Sequence, residues 1–209
     1  MVRFGPASAT RATTSAVAID LVLFSLFAFH HSLFARDGAK RYVRRLVGPQ
    51  LERSVYTWIS SLLFAIVCTA WQPVPGVLYE ITGVWRAAAY AVQAVAMVLT
   101  IRAAGALDAL DLAGIRPMID ALHNQSPRHV PLETGGLYSF VRHPLYFAWA
   151  LFVFATPVMT GTRAAFAVIS TGYLALAIPW EERALVRTFG DEYERYRARV
   201  RWRMVPGLY

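Results

Sequence analysis

Five runs of apolar residues set the limits on what this chain can fold into. They cover roughly 16–34, 55–71, 87–101, 145–159 and 164–180. Each is about 15–19 residues, at or just under the roughly 20 that a straight helix needs to cross a bilayer core. Snorkelling flanks and local bilayer thinning make up such a deficit. A water-soluble fold needs polar faces on its helices, and five such runs leave little with which to build them. Composition agrees: 16% of residues are charged, against about 25% in soluble domains. The expected fold is an all-α integral membrane protein with about five transmembrane helices in a single domain. Cys68 is the lone cysteine and lies inside an apolar run, so no internal disulfide framework exists.

The charges test this layout. With the C-terminus in the cytoplasm, seventeen of the twenty-one Lys and Arg fall inside: six in 36–53, four in 102–142 and seven in 183–203. Arg3, Arg11, Arg86 and Arg163 fall outside. Five spans with the N-terminus out therefore satisfy the positive-inside rule. The net charge of +8 is then mostly a topology signal and implies no nucleic-acid partner. No obligate protein partner is evident either. Arg3 and Arg11 would suit the n-region of a signal peptide, but Leu33 and Ala35 are a poor small-x-small pair for cleavage. The first run is therefore read as a retained span.

The fourth and fifth runs are joined by only a few residues around Thr160-Gly161-Thr162, which predicts a tight antiparallel helical hairpin. Pro157 is placed to kink the end of the fourth run. The cytosolic segment 102–143 contains Asp108, Asp111, Asp120, His123, Pro127, Arg128, Pro131 and a Gly135-Gly136 pair. It is too long for a simple connector and is a candidate functional loop. In the tail 181–209, Leu185, Phe189, Tyr193, Tyr196 and Val200 recur at helical spacing. They predict an amphipathic helix continuing from the fifth span. Arg199, Arg201 and Arg203 with Trp202 suit either lipid headgroups or docking on the protein's own loops.

Two clusters can do chemistry. Arg142-His143-Pro144-Leu145-Tyr146 stands where the cytosolic loop enters the fourth run, with Pro144 suited to a first helical turn. Glu181-Glu182 follows the fifth run, where carboxylates are costly beside lipid. The hairpin would bring the two clusters to the same level, forming either a grip for a cationic ligand or an ion pair that pins the hairpin.

The ordered set Arg142-His143-Pro144-Leu145-Tyr146, Glu181-Glu182, Leu185, Phe189-Gly190, Tyr193, Tyr196 and Pro206 resembles the isoprenylcysteine carboxyl methyltransferase superfamily of integral membrane enzymes. This likeness covers about a third of the chain. His30-His31-Ser32, Glu52-Arg53-Ser54, Trp71-Gln72-Pro73 and Thr156-Pro157-Val158-Met159-Thr160 look like its bacterial methanethiol S-methyltransferase and NnrU-like branch.

The resemblance implies S-adenosyl-L-methionine as methyl donor, in a cytosol-facing pocket formed by the loop and the tail. The matching cofactor positions are Leu132, Tyr138, His143, Pro144, Leu145, Tyr146 and Glu181, with Glu182 beside them. Carboxylates and aromatic faces suit a sulfonium. Arg142 and His143 supply donors for a carboxylate. No glycine-rich strand-to-helix loop of the Rossmann type is present. Members that methylate a prenylcysteine carboxylate carry an Arg one turn before the Glu pair, and here that position is Ala177. Ala148 likewise stands where Gly is common. A small or lipophilic thiol is thus the expected acceptor. The alternatives are another lipophilic acceptor, such as an isoprenylcysteine carboxylate or a lipid amine, and a non-catalytic NnrU-like membrane protein. His30 and His31 are the candidate bases for the thiol proton, and Arg142 completes the candidate catalytic set. Adjacent His residues point about 100° apart on a helix, so no metal site is expected. Asp20, costly within a span, is expected to pair with Gln93. The expected location is a bacterial-type inner membrane.

Overall fold

The structure is a computed structural model that describes residues 1–4, 11–34, 36–49, 51–123, 125 and 131–209. Ala35, Pro127 and Arg128 lie outside the described residues. In chain order the elements are strand β1 (Val2–Phe4), helices α1 (Arg11–Phe34), α2 (Asp37–Val47) and α3 (Glu52–Ala70), and strand β2 (Val77–Ile81). Helices α4 (Val84–Ala106), α5 (Ala109–Leu112) and α6 (Ile115–Leu122) follow, then a 3-10 turn (Gly136–Ser139). The chain continues through α7 (Pro144–Phe154), strand β3 (Val158–Thr160), α8 (Gly161–Phe189) and α9 (Asp191–Arg199).

Among the described residues, four helices are long and apolar enough to cross a membrane: Thr13–Phe34 within α1, then α3, α4 and α8. Large apolar side chains are exposed along each of them. Leu26 and Phe29 on α1, Leu62 on α3, Val98 and Ile101 on α4 and Leu176 on α8 all face outward. That pattern would be costly in water and is what lipid requires. The protein is a mostly helical integral membrane protein.

The run at 145–159 departs from expectation. Its helix, α7, has 11 residues, about 17 Å at 1.5 Å per residue, well short of a bilayer core. Two features stop it. Pro157 disfavours helical backbone at Thr156, and the next residues are drawn into a sheet. Strands β1, β2 and β3 form an antiparallel three-stranded sheet with β2 in the centre. The register pairs Val2 with Ile81 and Val77 with Thr160. These strands were not anticipated, and Pro157 does not kink a helix but precedes β3.

The chain divides into two compact units. The first contains Met1–Asp20, Gln72–Ala103 and Leu132–Tyr209; the second contains Leu21–Trp71 and Ala104–Pro131.

In the first unit α7 and α8 form the expected hairpin. Fully buried Ala148 and Ala167 allow close approach, and the Trp149 indole donates to Ser170 Oγ at 3.0 Å. Thr160 caps α8 by accepting from the Arg163 N–H. Gly161 opens that helix because a Cβ there would meet the Pro75 carbonyl at 2.6 Å. Gly190, at φ 54°, ends α8, so the tail helix is separate rather than a continuation. Asp20 does not pair with Gln93. It accepts from the Gln72 backbone N–H at 2.7 Å, a donor exposed where the chain turns past the end of α3. The Gln93 amide donates to the Phe152 carbonyl at 3.0 Å.

In the second unit the segment that follows α4 folds onto α3. Arg53 pairs with Asp111 at 2.7 Å, and Ser54 Oγ donates to the Gly114 carbonyl at 2.5 Å. Arg44 on α2 reaches Glu52 at 3.0 Å.

Candidate active site

Pro144 occupies the first turn of α7, where its missing N–H costs nothing. His143 is the residue before that helix, and Glu181 and Glu182 lie near the far end of α8. The hairpin brings them together. His143 Nδ1 lies 3.6 Å from Glu181 Oε2, and Nε2 lies 3.5 Å from Glu182 Oε1. The His143 ring stacks on Tyr146 at 5.3 Å between centroids, and the Tyr146 hydroxyl donates to Glu181.

The two carboxylates live differently. The Glu181 side chain is 40% exposed and that of Glu182 only 4%. Glu182 is held by Arg142, whose Nε donates to it at 2.6 Å. The Nη1 group of Arg142 donates to the Val200 carbonyl at 2.6 Å and the Arg201 carbonyl at 2.9 Å. A buried ion pair needs such additional hydrogen bonds to offset desolvation. Arg203 adds a second cation, with Nε 3.4 Å from Glu182 Oε2.

The tail is stitched beside this cluster by backbone. Arg142 N–H donates to the Trp202 carbonyl at 2.9 Å, and His143 N–H to the Arg203 carbonyl at 2.7 Å. Tyr193, Tyr196 and Val200 are buried, as their helical spacing predicts. The Tyr196 hydroxyl donates to the Tyr138 carbonyl at 2.7 Å. Burial pushes the Tyr196 hydroxyl up to about 12 and raises Tyr138 and Tyr193 as well. All three therefore stay neutral. Arg201 covers the Trp202 ring at 4.9 Å. Arg203 turns back to the protein, so for this residue docking on the protein's own chain prevails over a headgroup contact.

Of the residues singled out from sequence, Arg142, His143, Tyr146, Glu181 and Glu182 meet in one cluster. Pro144 and half-buried Leu145 begin α7 below it. Buried Tyr138 sits on the 3-10 turn, its hydroxyl directed to the Ala103 carbonyl at 3.4 Å. Leu132 is half-buried in the irregular stretch before that turn. Beside Pro144 lies an apolar cavity of about 290 Å³, lined by Leu99, Leu137, Phe140, Val141, Pro144, Phe147 and Pro206. Such walls suit hydrocarbon and cannot satisfy ribose hydroxyls.

His30 and His31 belong to the second unit. The Tyr56 hydroxyl lies 3.0 Å from His31 Nδ1 and donates to the His31 carbonyl at 3.1 Å. His30 packs on Phe34 at 4.6 Å.

Comparison with known proteins decides the family. The chain is 32% identical over 194 residues to methanethiol S-methyltransferase 2 of Bradyrhizobium diazoefficiens, covering 93% of this chain and 74% of the relative. It is 32% identical over 186 residues to the methanethiol S-methyltransferase of Mycobacterium tuberculosis, covering 88% and 76%. The chain belongs to the methanethiol S-methyltransferase family. It is therefore a methyltransferase, as the motif set implied. Nurim of Xenopus laevis is a more distant relative, 29% identical over 77% of this chain and 59% of its own length. No protein-family model and no solved structure matches the chain.

Two participants escaped the sequence argument. Arg203 was grouped with its neighbours by charge, and no pattern shows which arginine turns inward. Tyr209 lies outside any periodic stretch, yet its hydroxyl donates to the Ala175 carbonyl at 3.2 Å. The available signal for Tyr209 was Pro179 inside an apolar run, which leaves one helix carbonyl in need of a donor.

Proposed function

We propose that this methyltransferase uses S-adenosyl-L-methionine to methylate a small alkyl thiol of the methanethiol type, at a site facing the cytoplasm. The observation that carries this reading is the meeting of His143, Tyr146 and Glu181 at one end of the hairpin, in a chain whose relatives are named methanethiol S-methyltransferases. When bound, the methyl donor supplies a methyl group on a cationic sulfonium.

The residues present fit that group. Glu181 is the exposed carboxylate of the pair, and the Tyr146 ring offers the kind of face that cations favour. His143 Nε2 is buried and faces Glu182 Oε1 at 3.5 Å, which adds a polar ring atom to the cluster. Arg142 and Glu182, both buried, act as positioning residues. Leu132, Tyr138, Pro144 and Leu145 shape the wall. The apolar cavity beside Pro144 suits the hydrocarbon part of the acceptor. Ala177 offers no counter-ion for a carboxylate acceptor, which favours a neutral thiol.

An alkyl thiol gives up its proton as it is methylated, and the thiolate is the effective nucleophile. His30 and His31 are the proposed bases, with Tyr56 orienting His31. Charge supports this orientation. In the first unit Arg3, Arg86 and Arg163 lie around the sheet, whereas Arg142, Arg183 and Arg187 lie around the cluster. By the positive-inside rule this distribution supports a cytoplasmic side for the cluster, in a protein proposed to reside in a bacterial-type inner membrane. Arg201 and Trp202 are the proposed headgroup contacts of the tail.

Detergent-purified protein titrated with S-adenosylhomocysteine by calorimetry tests the donor; absence of binding heat overturns the reading. Supplying methanethiol and assaying dimethyl sulfide by gas chromatography tests the acceptor. His31→Ala is expected to slow turnover about 100-fold with S-adenosylhomocysteine affinity intact. A wild-type rate would remove His31 as base.

A further inference from the structure

Pro179 lies inside α8. Having no N–H, it cannot bond the carbonyl four residues earlier, that of Ala175. Such a carbonyl within a membrane helix is costly unless another group donates to it. Here the donor is the Tyr209 hydroxyl at 3.2 Å. Ala175 lies six residues before Glu181, about 9 Å along the helix axis.

Tyr209 is also tied to the cluster. The Arg203 guanidinium lies over its ring at 5.2 Å, and Arg203 Nη1 donates to its hydroxyl at 3.4 Å. The same guanidinium, through Nε, reaches Glu182 Oε2 at 3.4 Å. Met204 and Val205 N–H groups both donate to the Tyr209 carbonyl, at 2.9 and 3.0 Å, closing a compact turn between Arg203 and Tyr209. The carbonyl left by Pro179 is thus connected, through one tyrosine and one arginine, to the buried carboxylate of the site.

We propose that Tyr209 is a positioning residue for the methyl-donor site: by occupying the Ala175 carbonyl it holds Arg203 against Glu182. This rests on the reading of the cluster as that site. Pro179 is then the receptor for the tail rather than a tolerated flaw in the helix.

Tyr209→Phe, Pro179→Ala and the double variant, in detergent, are each titrated with S-adenosylhomocysteine and each melted without ligand. Tyr209→Phe keeps the ring beside Arg203 and removes only the hydroxyl. It is expected to weaken S-adenosylhomocysteine about five-fold, the worth of one hydrogen bond. Pro179→Ala returns an N–H to the Ala175 carbonyl, so adding Tyr209→Phe to it is expected to change affinity by less than about two-fold. Equal weakening in both backgrounds, or none in either, overturns the proposal. A lowered Tm with unchanged affinity reduces Tyr209 to a structural contact and also overturns it. If wild-type protein binds no S-adenosylhomocysteine, the donor reading fails by itself. The melts then decide the latch: Tyr209→Phe must lower Tm beside Pro179 and not in the Pro179→Ala background.

Discussion

The α7–α8 hairpin is fastened at its two ends by different chemistry. At the sheet end the fasteners are backbone: β3 pairs with β2, Thr160 caps α8, and Gly161 packs against the Val74 and Pro75 carbonyls. At the other end they are side chains: Arg142 with Glu182, His143 with both carboxylates, and Tyr146 with Glu181. Backbone pairing tolerates changes of side chain and offers no charge to a ligand. The charged end is costlier to desolvate but leaves Glu181 and the Tyr146 ring available. Within that end a second division holds, between Glu182, enclosed by Arg142 and Arg203, and Glu181, open to solvent.

The largest expected effect comes from breaking the enclosed pair. Arg142→Ala leaves Glu182 buried without its closest cation and is expected to cost about 3–5 kcal/mol of stability, read by thermal melting in detergent. A loss under about 1 kcal/mol would mean that the tail carbonyls, not the ion pair, fasten this end. Next is Gly161→Ala at the sheet end, where the added methyl would overlap two carbonyls. We expect a loss of about 1–3 kcal/mol with S-adenosylhomocysteine affinity of the folded protein unchanged. An affinity change as large as the stability change would show that the two ends are not separable. The smallest expected effect is that of Glu181→Gln. Stability should move by less than about 1 kcal/mol because the group is exposed, while S-adenosylmethionine binding falls about ten-fold, or 1.4 kcal/mol. Equal stability losses for Glu181→Gln and Arg142→Ala would erase the distinction between the two carboxylates.

Much of the charged end was legible from sequence. The short link at Thr160-Gly161-Thr162 dictates that helices leaving it return to a common level, so His143 and Glu181 had to be neighbours. The stripe Tyr193, Tyr196 and Val200 likewise announces its buried face by period. The sheet end was not legible. The two outer strands, of three residues each, carry no alternation to read, and Val158-Met159-Thr160 looks like the continuation of an apolar helix until Pro157 is given its weight. Gly190 interrupted a helix whose side-chain spacing runs on unbroken, because periodicity records faces and not backbone breaks. Asp20 found its partner in a main-chain N–H, which every residue but proline carries and which no sequence pattern marks. The inward turn of Arg203 depends on a contact with Tyr209 that only the folded tail creates.

The strand-like pairing of Val141 with Trp202 has a consequence for biosynthesis. Arg142 is made early, yet the carbonyls that accept from its Nη1 group belong to Val200 and Arg201, some sixty positions later in translation. A nascent chain that has not yet emerged as far as Arg201 therefore lacks both of those acceptors. The hydrogen-bond set of Arg142 is accordingly completed only once synthesis has passed Arg201.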